Sequence, residues 1–203
     1  MPHPKNSALK PRRCRQGGVT LIEILVTLFV VSVGLLGTAG MQLAATRFQQ
    51  TSYMRGQALV QAQFIAEKIR VNNSALTAPA PAAPANQYLE PNTHAAAAGS
   101  WPANPGCGLT GQTVCTNQQA AQRDILEWHQ SLAARLPGGR GAILPVANTG
   151  GLIDPTARRV VVMWREKQQN ETDDATGETT DRFCPAAVAA PAGVRCIDLV
   201  VTP

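Results

Sequence analysis

The residues best placed to do chemistry sit at a junction near the amino end. Positions 17–23 read Gly-Gly-Val-Thr-Leu-Ile-Glu, and from Ile24 to Thr46 no charged residue follows. A carboxylate among Leu21, Ile22, Ile24 and Leu25 costs about 2.5 kcal/mol or more to place in a bilayer. Such an acid needs a cationic partner, and nothing basic lies nearby on the same segment. Cutting the chain between Gly18 and Val19 would create one. The new α-amino group of Val19 could pair with Glu23 of the same chain or of a neighbour packed alongside. The chemistry on offer is therefore a peptide-bond cleavage followed by charge pairing in an apolar setting.

Two plainer explanations compete with this one. A secretory signal has an apolar core of about 7–15 residues followed by a small-residue cut site. Thr38-Ala39-Gly40 imitates such a site, but the charge-free run continues past it to a length that suits a spanning helix of about 20 residues. A simple membrane anchor requires neither the glycine pair nor Glu23. The junction resembles the class III signal of type IV prepilins and pseudopilins. That resemblance implies that a prepilin peptidase cuts after Gly18 and methylates the amine of Val19, and that Glu23, fifth in the mature chain, orders assembly. Valine stands where the family usually has phenylalanine or methionine.

Cysteine is the next reactive type. Cys14 lies in the leader and leaves with it; Cys107, Cys115, Cys184 and Cys196 remain. An even set in an exported domain reads as two disulfides. Of three pairings, Cys107–Cys115 and Cys184–Cys196 is favoured, because each bracket encloses a short turn-rich segment. Zinc would want closer C-x-x-C pairs and a nearby histidine. No cofactor is called for. His3, His94 and His129 are scattered, and Asp124 is five residues from His129, so the two do not face each other on a helix. His129 reads as a half-exposed helix residue, and no nucleophile is placed beside it. Gly138-Gly139-Arg140-Gly141 lacks the strand-to-helix context of a phosphate loop and reads as a turn. Asp173, Asp174, Glu178 and Asp181 offer oxygens to calcium, but their spacing misses the EF-hand pattern, and a solvated acidic loop explains them better. The chain is read as a non-enzyme.

The formal charge of +5 is misleading about nucleic acid. Lys5, Lys10, Arg12, Arg13 and Arg15 all precede the junction, so the other 13 basic residues balance the 13 acidic ones. A basic block before an apolar helix follows the positive-inside rule and holds the amino end in the cytoplasm. Direct binding of nucleic acid is not expected.

The elements that must position these groups follow from periodicity. No proline occurs between Pro11 and Pro79, and Ala58, Leu59, Ala62, Ile65, Ala66 and Ile69 recur at three- and four-residue steps. The membrane helix is therefore expected to continue to Asn72 or Ser74, with a docking stripe and a polar face of Gln57, Gln61, Gln63 and Lys68. Gly34, Gly37, Gly40 and Ala44 offer small surfaces without a strict small-xxx-small repeat. Residues 75–106, rich in alanine and proline, read as an extended surface connection. Thr116-x-x-Gln119 is a capping-box signature that opens a second helix with Ala121, Ile125, Trp128, Leu132 and Leu136 inward, stopped by Pro137-Gly138-Gly139. Strands are expected at Ala142–Ala147, Arg159–Arg165 and Arg195–Val201. The fold class is α+β, with a long amino-terminal transmembrane helix packed on a small antiparallel sheet, an order that resembles the pilin fold. The division is a leader over 1–18, the transmembrane part of the helix over 19–46, its exported half over 47–74 and an exported α+β domain over 75–203.

A narrower resemblance lies in Val33-Gly34-Leu35-Leu36-Gly37, in Asp124, Trp128, Leu132 and Leu136-Pro137-Gly138-Gly139, and in Val162-Met163-Trp164-Arg165. These are similar to the PilV-type minor pilins, the type IV pilus modification proteins. The resemblance implies a structural subunit that primes or modifies a pilus. Its partners would be prepilin peptidase, other minor and major pilins and the assembly machinery of the inner membrane. The chain would cross that membrane once before assembly and lie in the surface pilus afterwards. A pseudopilin of a type II secretion system shares the cleavage signal, and a membrane-tethered periplasmic enzyme or binding protein is the reading from another class.

Overall fold

The computed structural model describes residues 18–77, 88–94, 101–108, 113–147, 150–166, 181 and 183–202. The chain divides into two compact units, Met1–Phe48 and Gln49–Pro203. Helix α1, Leu21–Val71, contributes its first part to one and its last part to the other. A one-turn helix α2, Ser74–Thr77, follows, and then α3, Asn117–Arg135. Strands β1, Arg140–Ala147, β2, Ile153–Arg165, and β3, Val194–Val201, form one antiparallel sheet in the order β1-β2-β3. A long apolar amino-terminal helix followed by a small antiparallel sheet is an α+β arrangement, that of a pilin fold.

In the first unit every described residue is exposed, including Leu21, Leu28, Phe29, Leu36 and Phe48. An apolar surface of that extent has to be covered by lipid or by other chains. Among the described residues α1 alone is long and apolar enough to cross a membrane.

The second unit has its own core. Ala58, Ala62, Ile65, Ala66 and Ile69 of α1 pack with Ala121, Ile125, Trp128 and Leu132 of α3 and with Ile143, Val160, Val162 and Trp164 of the sheet. The docking stripe differs from the expected one at its margins. Leu59 is 44% exposed, whereas Gln61, assigned to the polar face, is buried. The cause is Trp128, whose Nε1 donates to the carbonyl of Gln61 at 2.9 Å, so the indole lies over that turn. The helix stops at Val71, slightly before the expected end. There the Asn72 amide donates to Asn117 O at 2.7 Å, and the chain turns into α2.

The second helix begins as its capping box dictates. Thr116 caps it, accepting from Gln119 N, while the Gln119 side chain accepts from Thr116 N. It leaves through Gly139 and Gly141, where close approach excludes a side chain. A Cβ on Gly139 would lie 2.2 Å from Leu132 O, and one on Gly141 would lie 2.3 Å from the Trp128 ring.

The sheet is buried on both faces. Val160, Val162 and Trp164 face the main core, and Val161 and Met163 face a second cluster with Ala142, Leu144, Val188 and Val194. This explains why Val160–Trp164 is uninterrupted rather than alternating in polarity. Strands β1 and β2 begin earlier than the sequence suggested, at Arg140 and Ile153. The connection also departs from a purely surface course: Tyr88 is fully buried, and Glu90 forms an antiparallel bridge with Ile143. Within 75–106, residues 78–87 and 95–100 lie outside the described residues.

Candidate processing and assembly site

Gly18, Val19 and Thr20 precede α1 in non-helical conformation, and all three are exposed. Thr20 occupies the capping position, since its carbonyl accepts from Glu23 N at 3.1 Å and from Ile24 N at 3.3 Å. The Gly18–Val19 bond lies in exposed, non-helical chain just ahead of the first helical turn. Glu23 stands in that first turn, where a negative charge complements the exposed N–H groups of the helix. Gly18, Val19 and Glu23 are thereby collected at one helix end.

The remaining polar groups of this segment are largely satisfied internally. Thr27, Ser32, Thr38 and Thr46 each donate to a carbonyl one turn back, at 2.9, 2.6, 2.9 and 2.9 Å. Those hydroxyls can therefore sit in an apolar medium at little cost. Glu23 is different. It is the only charged side chain from Val19 to Thr46, and Arg47 is about 36 Å further along the helix at 1.5 Å per residue. Among the described residues no cation lies within ion-pair reach of it. Gly34, Gly37 and Gly40 have open space where a side chain would be.

The four cysteines of the second unit form two disulfides, Cys107–Cys115 and Cys184–Cys196. The first closes the segment leading into α3. The second ties β3 to the chain that covers the outer sheet face, beside Val188 and Val194.

The other candidates for chemistry are placed apart and absorbed into packing. His129 is buried, contrary to its expected half-exposure, because Trp101 stacks on it with ring centroids 6.2 Å apart. Burial pushes its pKa down to about 4. His94 is held below its ordinary range by burial and by the neighbouring charges of Arg140 and Arg165, and its carbonyl accepts from the Arg140 guanidinium. Asp173, Asp174 and Glu178 lie outside the described residues. Asp181 is buried rather than solvated, accepting from Phe183 N at 3.0 Å and Cys196 N at 3.1 Å with Arg195 at 3.9 Å. Among the described residues no cluster of metal-ligating side chains exists.

One constellation escaped the sequence reading. Asp124 is buried on α3 and accepts from Lys68 Nζ of α1 at 3.1 Å and from the Tyr88 hydroxyl at 2.7 Å. Burial, followed by Asp124, pushes the Tyr88 hydroxyl far above its ordinary range. The network joins α1, α3 and the connection, so it serves docking rather than catalysis. The available signal was an acid at a three-residue step from Ala121 on the apolar face of α3.

Over residues 13–39 the chain matches the family described as the prokaryotic N-terminal methylation motif. No curated protein matches the chain, and no solved structure does. The motif, with the exposed apolar helix that carries it, supports a prepilin-like protein, pilin-like or pseudopilin. The motif implies processing by prepilin peptidase and assembly with other pilins, and it fits membrane anchoring before assembly.

Proposed function

We propose that this chain is a minor pilin, a structural subunit that primes or modifies assembly of a type IV pilus, of the PilV type. The observation that carries the reading is Glu23: fifth from the Gly18–Val19 bond, it is the lone charged side chain of a segment, Val19 to Thr46, that is exposed throughout. Residues 1–18 are the leader, which holds the amino end in the cytoplasm by its basic block. Residues 19–46 cross the inner membrane, 47–74 continue the helix beyond it, and 75–203 complete the exported domain, with 75–106 as its connection. Prepilin peptidase cuts after Gly18 and methylates Val19. The amine so formed and a carboxylate attract far more strongly in a low-dielectric bundle than in water. A subunit joining a fibre pairs its Val19 amine with a neighbour's Glu23, which fixes axial register; a slipped subunit leaves a buried charge unpaired at a cost of several kcal/mol. The pattern from Asp124 to Gly139 and from Val162 to Arg165 supports the PilV-type assignment over a type II pseudopilin.

The test is Glu23→Val. The variant should be cut normally and reside in the inner membrane, yet be missing from sheared pili. Incorporation at wild-type level would refute the assembly role and leave the helix a simple tether. Absence of the wild-type chain from sheared pili, with presence in a secretion apparatus, would favour the pseudopilin reading.

A further inference from the structure

Residues 101–107 lie along α3 as a strap. At one end Trp101 stacks nearly parallel on the His129 ring, with an interplanar angle of 13°. In its middle Ala103 O accepts from Gln122 Nε2 at 2.7 Å. At the other end Cys107 is fixed to Cys115 by the disulfide. The strap therefore follows α3 between Gln122 and His129, about 10 Å at 1.5 Å per residue. His129 is covered on a second side by Trp128, whose ring centroid is 5.3 Å away. Its Nε2 is buried and has no hydrogen-bond partner among the described residues.

We infer that this strap is an acid-released latch, held closed over α3 by neutral His129 and freed when that ring takes up a proton. A buried imidazole with no acceptor beside it can be charged only by reaching water, and Trp101 blocks the way. Among the described residues no charged side chain pairs with it. One turn away on α3 stand Ile125, Leu126, Leu132 and Ala133, and residues 101–107 contain no titratable side chain once Cys107 is oxidised. Burial alone holds the ring below its ordinary range, at about 4 instead of 6.5. The linkage then runs in one direction. Above pH 6.5 the ring is neutral whether the strap is closed or open, and pH has no effect. Below 6.5 the open form binds a proton that the closed form refuses until about pH 4, so acid favours opening. With those two values the opening constant rises about 30-fold between pH 8 and pH 5.

The aromatic ring resonances of the mature full chain in detergent micelles test this. His129 should titrate near pH 4 in the wild type and move toward 6.5 in Trp101→Ala, and an unmoved titration would overturn the proposal. The Trp101 ring resonances should shift from their stacked to their solvent-exposed positions as pH falls from 8 toward 4, and in His129→Phe, which keeps a ring under Trp101, they should stay unmoved. Trp101 resonances that do not change in the wild type, or that change equally in His129→Phe, would overturn the latch.

Discussion

Replacing Asp124 by alanine should loosen the attachment of α1 to α3 by an amount that can be worked from three contacts. The Tyr88 hydroxyl donates to Asp124 Oδ2 at 2.7 Å from a fully buried ring. A hydrogen bond to a charged acceptor contributes about 1.5–3 kcal/mol. Removing the acceptor leaves the hydroxyl with Lys68 O at 3.3 Å, which places the loss in the lower half of that range. Lys68 Nζ stands 3.1 Å from Asp124 Oδ1, but its side chain is 35% exposed, so this pair adds only about 0.5–1 kcal/mol. The total is roughly 3 kcal/mol, a large fraction of the stability of a domain this size. The assay is urea unfolding of the compact unit from Gln49 to Pro203 with both disulfides oxidised. Tyr88→Phe alone should cost about 1.5 kcal/mol, and the double variant should fall short of the sum by about 1–2 kcal/mol because the two residues share one bond. A cost below about 0.5 kcal/mol for Asp124→Ala, or strict additivity, would refute the network as a docking element.

Two further outcomes probe the packing and the charge of the exported unit. Gly141→Ala should destabilise it by about 2 kcal/mol in the same assay, since the new Cβ would fall 2.3 Å from the Trp128 ring and 2.8 Å from Leu132 Cδ1. Wild-type stability would show that the indole has room to move. Burial raises the pKa of Glu90 above its ordinary 4.5, so its charge subtracts stability as pH rises through that region and costs nothing below it. Glu90→Gln should therefore stabilise the unit at pH 7, with the difference vanishing toward pH 4; a destabilising effect at pH 7 would contradict the sign.

The parts legible from sequence are those whose signals are local. Thr116 and Gln119 cap α3 because a capping box needs only four consecutive residues. Val160–Trp164 announces a strand by composition, and Cys107–Cys115 and Cys184–Cys196 are near neighbours in the chain. What escaped depends on distant partners. Tyr88 sits in an alanine- and proline-rich stretch, and only Asp124 and Asn72, brought to it by tertiary packing, make it a core residue. Gln61 reads as polar, yet its backbone carbonyl serves Trp128, 67 positions away. His129 follows the same logic: Trp101 covers it from a segment with no periodic pattern. The second buried face of the sheet was hidden because its cover, around Val188, is a short 3-10 turn without a secondary-structure signature. At the amino end the situation is reversed. The placement of Gly18, Val19 and Glu23 follows from their order in the chain and from the helix that begins at Leu21.

In the proposed maturation Gly18 and Val19 are parted, and Val19 becomes the charged amino end to which Glu23 is matched. Intact mass spectrometry of the chain extracted from the membrane tests it directly. The expected product is a polypeptide lacking residues 1–18, beginning at Val19 and carrying one additional methyl group, whereas Gly18 replaced by a bulky residue should leave the full precursor. A wild-type protein that retains Met1, or one whose amino end lies after Gly40, would contradict it.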